Sequence, residues 1–191
     1  MTLKLIIFDV DGTLAETYTL NLLPGVKDFF TLSTSADCAE QPKLAIATNQ
    51  GGVSMRYWME SGGFGRPDTY PTREEVENRL QALLQTLTAG IEIRVYVAYG
   101  YQNRKGQWAP VPAEFRELPA YSQSWRKPNP GMLIQAMRDA GARPEETVYI
   151  GDRPDDQAAA RAAGIRFEWA KDFFNRPWQD CQSLRDYMEQ P

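Results

Sequence analysis

Short, mostly apolar runs recur along the chain, and small polar residues follow several of them. The runs at 5–9, 43–48 and 146–150 are of this kind. Continuous apolar runs of this length are typical of strands buried on both faces of a parallel sheet. Residues 91–98, with an alternating pattern, and 165–169 complete five predicted strands. The pattern therefore predicts a sheet made of short, buried strands.

Helical patterns fill the segments between these strands. Thr72 and Glu75 form a capping box, and apolar residues at helical spacing follow until Gly90 ends the helix. Further helices are predicted after Pro24 and over 130–140, 158–163 and 184–188. Strands that alternate with helices are characteristic of the α/β class.

Two stretches are less regular. Residues 56–71 contain aromatic side chains among three glycines and two prolines, and 99–126 combine aromatic residues with the basic pair Arg104-Lys105. Loops this long in compact domains are usually functional or disordered. We expect 56–71 to be an ordered loop near the mouth of a site, with packing on the flank of the domain as the alternative. In 99–126 the aromatic residues among basic ones could stack on a base or a sugar, and a self-packed surface loop is the alternative.

Length and charge limit the possible functions. The 191 residues suffice for one domain over 1–191, and a net charge of -4 gives no general attraction to nucleic acid or membranes. No apolar run approaches the roughly 20 residues of a membrane span, and no secretory signal pattern is visible. Cys38 and Cys181 lie far apart in the sequence, so we expect two passive thiols in a reducing cytoplasm.

The chain contains no histidine. This excludes Ser-His-Asp and Cys-His catalysis and any metal site with histidine ligands. If the protein is an enzyme, its acid–base chemistry depends on Asp, Glu, Lys or Tyr.

Two carboxylates follow the first predicted strand. Asp9 and Asp11 precede Gly12 and Thr13, at the end of a strand where ligands of open α/β sheets bind. Converging carboxylates repel each other unless a cation or a shared proton lies between them. Oxygen ligands of this kind suit Mg²⁺. An ordinary turn rich in Asp and Gly is the alternative interpretation.

Three later stretches add candidate chemistry after a strand or before a helix. Thr48 and the amides after it could hold an anion, or simply form a strand-to-helix turn. Lys127 precedes a predicted helix N-terminus, which disfavours a cation unless an anion lies between them. Asp152 and Asp156 follow the fourth strand.

Taken together, these stretches resemble the four ordered motifs of the haloacid dehalogenase-like (HAD-like) phosphatases. The matching segments are 9–13, Thr48, Lys127-Pro128 and 151–156. Segments 48–53 and 126–132 are similar to the branch with histidinol-phosphate phosphatase, heptose bisphosphate phosphatase and the phosphatase domain of polynucleotide kinase-phosphatase. The resemblance implies a three-layer α/β/α Rossmann-like sandwich with parallel strand order 5-4-1-2-3. No inserted segment suggests a separate cap domain.

The resemblance also implies roles for the acids. Asp9 would be the nucleophile that forms an aspartyl-phosphate, and Asp11 would protonate the leaving oxygen and later deprotonate water. Mg²⁺ would be bound by the Asp9 carboxylate, the backbone carbonyl of Asp11 and Asp152. Asp156 would be a further ligand or a support for the ligands.

The remaining motif residues would bind the substrate. By the same resemblance, Thr48, Asn49 and Lys127 would hold the transferring phosphoryl oxygens, where preorganised donors meet developing charge. Arg126 could contact a part of the substrate beyond the phosphate. Relatives in this branch often carry a Cys/His zinc cluster before the Arg-Lys-Pro motif. Residues 99–125 contain neither Cys nor His, which excludes zinc there.

The substrate stays open at this point. We expect a small phosphorylated metabolite such as a sugar phosphate, hydrolysed by a cytoplasmic monomer or weak homodimer. Removal of a 3′-terminal phosphate from nucleic acid is the alternative, with Tyr101, Arg104, Lys105 and Trp108 as contacts, although the acidic composition disfavours it. A non-catalytic binding module on the same fold is a third possibility.

Overall fold

A computed structural model describes residues 2–35, 37–38, 41–87 and 93–189 of the chain. Its centre is a parallel five-stranded sheet in the order β3-β2-β1-β4-β5. The strands are β1 (Leu5–Phe8), β2 (Lys43–Asn49), β3 (Arg94–Ala98), β4 (Thr147–Gly151) and β5 (Arg166–Trp169). This is the predicted strand order, read from the opposite edge, and the prediction is confirmed.

Helices cover both faces of this sheet. They are α1 (Val26–Ser33), α2 (Gly52–Gly62), α3 (Arg73–Leu87), α4 (Gly131–Ala140), α5 (Pro154–Ala163), α6 (Ala170–Phe174) and α7 (Cys181–Met188). None of the described helices combines the length and the apolar character needed to cross a membrane.

The hydrophobic core lies in two layers, one on each face of the sheet. Side chains alternate between the faces of a strand, so Leu5 and Ile7 of β1 pack with α4 and α5, whereas Ile6 and Phe8 pack with α1, α3, α6 and α7. All four residues are buried because both faces are covered. The apolar run at 5–8 is uninterrupted because the strand is buried on both faces, as predicted. The predicted three-layer sandwich is confirmed.

Several predicted helix ends agree with the structure. The backbone N–H of Thr72 donates to Glu75 Oε2 at 2.7 Å, and the N–H of Glu75 donates to Thr72 Oγ1 at 3.1 Å, which confirms the capping box. Gly164 follows α5 with φ of 71°. The predicted helix end at Gly90 and the first two residues of the predicted strand 91–98 lie outside the described part of the chain.

The loop predicted over 56–71 is wrong in its first half, because α2 continues to Gly62. The three glycines and two prolines of this stretch favour a loop, and only Val53 and Ser54 of the helix are fully buried. From 63 onward the segment is a connection with a 3-10 turn at Pro67–Thr69. The second predicted loop, 99–126, is irregular apart from two short 3-10 turns.

The two cysteines are not separate thiols, as the sequence had suggested, but form a disulfide. Cys38 lies after α1, Cys181 begins α7, and these two helices pack against each other. The residues are 143 positions apart, so only the tertiary fold brings them together.

Candidate active site

Three strands deliver polar residues to the same edge of the sheet. β1 pairs with β2 on one side and with β4 on the other, with Phe8 opposite both Ile46 and Ile150. The residues after these partners therefore lie side by side: Asp9 after β1, Thr48 near the end of β2, and Asp152 after β4. The strand order reverses between β1 and β4, which is where open α/β sheets bind ligands.

A buried ammonium group bridges two carboxylates at this edge. Lys127 Nζ lies 2.8 Å from Asp9 Oδ1 and 2.7 Å from Asp156 Oδ1, and its side chain is 3% exposed. Burial alone would lower the pKa of Lys127, but the two carboxylates raise it above its ordinary value. The lysine is therefore charged, and it offsets part of the negative charge that the acids bring together.

The side chain of Asn49 fixes the backbone of this lysine. Its amide nitrogen donates to the carbonyl of Lys127 at 3.0 Å, and its oxygen accepts the N–H of Lys127 at 3.1 Å. The family resemblance implies that Asn49 binds phosphate; in the structure its amide group holds the segment that carries Lys127.

Tyr149 joins the same cluster from the middle of β4. Its hydroxyl lies 2.6 Å from Lys127 Nζ and 3.0 Å from both Asp156 Oδ1 and the carbonyl oxygen of Ala47. Burial and the neighbouring carboxylates of Asp9 and Asp156 raise the pKa of Tyr149 well above its ordinary value. The sequence carries no signal for this residue, because a tyrosine inside an apolar run is indistinguishable from a core residue.

Asp9, Asp152 and Asp156 form a candidate cation site. Each offers a carboxylate oxygen, and these oxygens all lie within 4.8 Å of one another. The carboxylate of Asp152 lies so close to Gly12 (φ 86°) that a Cβ at that position would collide with it. The missing side chain of Gly12 therefore allows Asp152 to lie near the other two acids. Carboxylate oxygens at this spacing suit Mg²⁺.

The three acids are not equivalent as ligands. Asp156 already accepts from Lys127 and Tyr149 at Oδ1, and from the backbone N–H groups of Asp152 and Arg153 at Oδ2. A carboxylate offers about four acceptor positions, so those of Asp156 are filled. Asp9 and Asp152 are consequently the better ligands, and Asp156 supports them.

The electrostatics of the cluster favour a bound cation. Burial raises the pKa of Asp9 to about 6, although Lys127 beside it acts in the opposite direction. Burial and the Asp156 carboxylate also raise the pKa of Asp152. A divalent ion would relieve this repulsion and favour the ionised carboxylates.

The side chain of Asp11 makes different contacts from those of the other acids. Arg79 of α3 donates to both of its oxygens, at 2.8 and 3.1 Å, and Gln50 Nε2 donates to Oδ2 at 2.7 Å. Burial would raise the pKa of Asp11, but hydrogen bonds from Arg79, the backbone of Tyr18 and Gln50 lower it. Any metal contact of Asp11 would thus come from its backbone carbonyl, as the sequence resemblance implies.

Two further predicted residues border the site. Thr48 is buried, and its hydroxyl accepts a hydrogen bond from Gln50 at 3.0 Å, so its own hydrogen can face a phosphoryl oxygen. Arg126 Nη1 donates to the carbonyl of Gly100 at 3.0 Å, and it lies against Gly51 in the turn after β2. Burial lowers the pKa of Arg126.

A cavity of about 510 Å³ opens beside Asp11. Gln50 and Arg79 line it from the side of the acid, and Tyr18, Tyr70 and residues near the start of α3 complete its wall. A cavity of this size is in the range of small-molecule sites.

Comparisons with known proteins agree with this fold. Residues 124–171, which include Lys127, Asp152 and Asp156, match the family described as HAD-hydrolase-like. The D-glycero-beta-D-manno-heptose-1,7-bisphosphate 7-phosphatase of Mesorhizobium japonicum is 26% identical over 153 residues, which cover 76% of this chain and 61% of that protein. The alignment thus spans less than two thirds of that relative.

Two further alignments extend over a larger share of the matched protein. The enzyme of the same name from Pasteurella multocida is 24% identical over 169 residues, 85% of this chain and 78% of its own. The solved structure of D,D-heptose 1,7-bisphosphate phosphatase from B. bronchiseptica, complexed with magnesium and phosphate, superimposes with a TM-score of 0.55. It is 20% identical over 97% of both chains, so this likeness concerns the fold.

Proposed function

We propose that the chain is a HAD-like phosphatase that hydrolyses phosphate monoesters with the help of Mg²⁺. The observation that carries the proposal is the buried Lys127 between Asp9 and Asp156, with Asp152 beside them. A nucleophilic carboxylate, a cation site and a fixed ammonium are the groups that phosphoryl transfer requires.

Asp9 attacks the phosphorus atom and forms an aspartyl-phosphate as the bond to the leaving oxygen breaks. Asp11 provides the proton that the leaving alcohol takes up, which requires its carboxyl group to be protonated and to release the hydrogen bonds from Arg79 and Gln50 when the substrate binds. In the second half, Asp11 accepts a proton from water, whose oxygen attacks the phosphorus and releases phosphate and free Asp9. Two smaller barriers replace one larger barrier.

The other residues hold the group that is transferred. The carboxylates of Asp9 and Asp152 and the backbone carbonyl of Asp11 would bind Mg²⁺, which neutralises negative charge on the phosphoryl oxygens when bound. The ammonium of Lys127 and the hydroxyl of Thr48 donate to those oxygens. Burial fixes the positions of both side chains, so only their hydrogen-bond partners change as charge develops on the phosphoryl oxygens.

The substrate class that we propose is a small phosphorylated metabolite such as a sugar phosphate. The cavity beside Asp11 supports it, since Gln50 and Arg79 line the cavity and also contact Asp11. Tyr18 and Tyr70 add aromatic surface for a sugar ring. The names of the two bacterial relatives point in the same direction.

We also propose a single domain without a separate cap, as a monomer or weak homodimer. The disulfide between Cys38 and Cys181 removes the reason for which the sequence favoured a reducing cytoplasm, because such bonds persist in oxidising compartments.

The test is hydrolysis of p-nitrophenyl phosphate with and without Mg²⁺ by the wild type and Asp9→Asn. We expect the variant to lose about 1000-fold or more in kcat, as removal of a nucleophile does. Acid quenching should trap phosphate on the wild-type protein in a bond that hydroxylamine cleaves. Asp28→Asn, a change at an exposed aspartate of α1, is the matched control and should keep full activity.

A panel of sugar phosphates and 3′-phosphorylated oligonucleotides tests the substrate class. Faster hydrolysis of the oligonucleotides would show that the substrate is a 3′-phosphorylated nucleic-acid end and not a small metabolite. Equal rates for Asp9→Asn and the wild type would refute the nucleophile. If the wild type hydrolyses no phosphate monoester, the protein is a non-catalytic binding module on the same fold.

A further inference from the structure

Lys127 has more hydrogen-bond partners than it has hydrogens. Four oxygens surround its Nζ: Asp9 Oδ1 at 2.8 Å, Asp156 Oδ1 at 2.7 Å, the carbonyl of Ala47 at 3.0 Å and the hydroxyl of Tyr149 at 2.6 Å. An ammonium group donates three hydrogen bonds. In the free protein its hydrogens are therefore fully engaged with the protein itself.

The proposed reaction requires one of these hydrogens. A phosphoryl oxygen bound by Lys127 must replace one of its present partners. Each of these acceptors is buried, and a buried acceptor left without a donor opposes binding of the phosphate. Phosphate binding is therefore favoured if another donor forms a hydrogen bond with the acceptor that the ammonium leaves.

Tyr149 is placed to provide that donor. Its hydroxyl lies 3.0 Å from the carbonyl of Ala47 and 3.0 Å from Asp156 Oδ1, which are two of the oxygens that Lys127 serves. A hydroxyl donates one hydrogen and can accept another from the ammonium. The ring is fully buried in β4, so the position of the hydroxyl is fixed by the core.

We propose that Tyr149 is a positioning residue for Lys127. Its one hydroxyl hydrogen, which lies within reach of both oxygens, is donated to whichever of Ala47 and Asp156 loses the ammonium when Lys127 turns one N–H toward a phosphoryl oxygen. This inference rests on the proposed phosphatase function and adds a residue that acts on the phosphoryl group only through the lysine.

Tyr149→Phe tests the proposal, because it removes the hydroxyl and keeps the ring. With saturating Mg²⁺ and p-nitrophenyl phosphate, we expect kcat/KM to fall about tenfold, equivalent to about 1.4 kcal/mol. The inhibition constant of orthophosphate should rise by a similar factor. Tyr187→Phe is the matched control: it also removes a buried hydroxyl, one that donates to Glu168, and should keep wild-type kinetics.

A second pair of variants separates positioning from simple packing. Orthophosphate affinity is measured by calorimetry for Lys127→Met with and without Tyr149→Phe. If Tyr149 acts through the lysine, the tyrosine change has no further effect once Lys127 is absent. A loss of the same size in both backgrounds overturns the proposal and leaves a packing role.

The outcomes for the wild type keep the two proposals distinct. An active wild type with unchanged kinetics and phosphate affinity in Tyr149→Phe overturns this inference and leaves the phosphatase function intact. A wild type without activity toward any phosphate monoester overturns both.

Discussion

Arg79 of α3 donates two parallel hydrogen bonds to the carboxylate of Asp11, at 2.8 and 3.1 Å, across 68 positions of sequence. The guanidinium also reaches Gln50 Oε1 at 3.2 Å, and its Cζ lies 5.7 Å from the centre of the Tyr18 ring. These contacts attach α3 to the loop after β1. The proposed acid and base of the reaction is therefore held by a residue on a distant helix.

We predict that Arg79→Lys lowers kcat/KM about tenfold and that Arg79→Met lowers it further. Lysine keeps the charge but cannot form the two-pronged contact with a carboxylate. We expect a loss with both an alkyl phosphate and p-nitrophenyl phosphate, because Arg79 also fixes the loop after β1 through its contacts with Tyr18 and Gln50. Steady-state kinetics with both substrates measures it.

Arg73→Lys provides the control for Arg79. Arg73 lies on the same helix and forms an exposed pair with Glu77 at 2.6 Å, so its loss should leave the kinetics unchanged. Wild-type rates in Arg79→Met on both substrates would mean that Asp11 needs no such support.

We predict that Lys127→Met destabilises the fold by about 3–5 kcal/mol, since removal of one partner leaves buried charges without compensation. Mg²⁺ should recover part of the loss, because a cation bound only by the folded state adds stability. For the same reason, EDTA should lower the melting temperature of the wild type. Urea unfolding with Mg²⁺ or EDTA measures both effects.

Lys171→Met, at an exposed lysine of α6, controls for the loss of a positive charge. Its stability and its response to Mg²⁺ should equal those of the wild type. Identical unfolding curves for Lys127→Met in Mg²⁺ and in EDTA would argue against a cation at the carboxylate cluster.

The sequence predicts the sheet well because the apolar pattern of each strand agrees with its position in the fold. The apolar run of β1 is buried on both faces, and the acids that follow it reach the edge where β2 and β4 also end. Strand order follows from the resemblance to a known family. The second half of helix α2 is hard to predict because the glycines and prolines that follow it favour a loop.

The supporting residues of the site have no comparable signal. Arg79 lies on the polar face of a helix, where an arginine usually faces solvent, and its partner is fixed only by tertiary packing. Tyr149 has the pattern of a core residue, since a hydroxyl does not change an apolar run. Gln50 lies in a motif that the resemblance identified, but its contact with Asp11 depends on the folded loop.

We predict that reduction of the disulfide between Cys38 and Cys181 lowers stability by about 2–4 kcal/mol, because a long loop of the unfolded chain is released. The melting temperature of the wild type should fall by about 5–10 °C in dithiothreitol. The double variant Cys38→Ser/Cys181→Ser should melt at the lower temperature with or without reductant. Two free thiols in the unfolded, unreduced wild type would contradict the bond.

The last prediction concerns acid stability and Glu146, which precedes β4. Arg143 donates to Glu146 Oε1 at 3.0 Å, Lys4 Nζ lies 2.8 Å from the same oxygen, and the side chain is 6% exposed. Hydrogen bonds from Arg143 and Lys4 lower the pKa of Glu146 to about 2 from an ordinary value of 4.5. Since the pKa is lower in the folded state, the ionised carboxylate stabilises the fold above pH 4.5.

This contribution is lost as the pH falls from 4.5 toward 2, because the folded state then gains the same proton as the unfolded chain. Glu146→Gln should therefore be less stable than the wild type at pH 7, and the difference should shrink steadily below pH 4.5. Urea unfolding at several pH values between 7 and 3 measures it. Glu145→Gln, whose partner Arg143 is mostly exposed, should change stability much less at pH 7. A Glu146→Gln difference that stays constant down to pH 3 would show that packing, and not ionisation, is responsible.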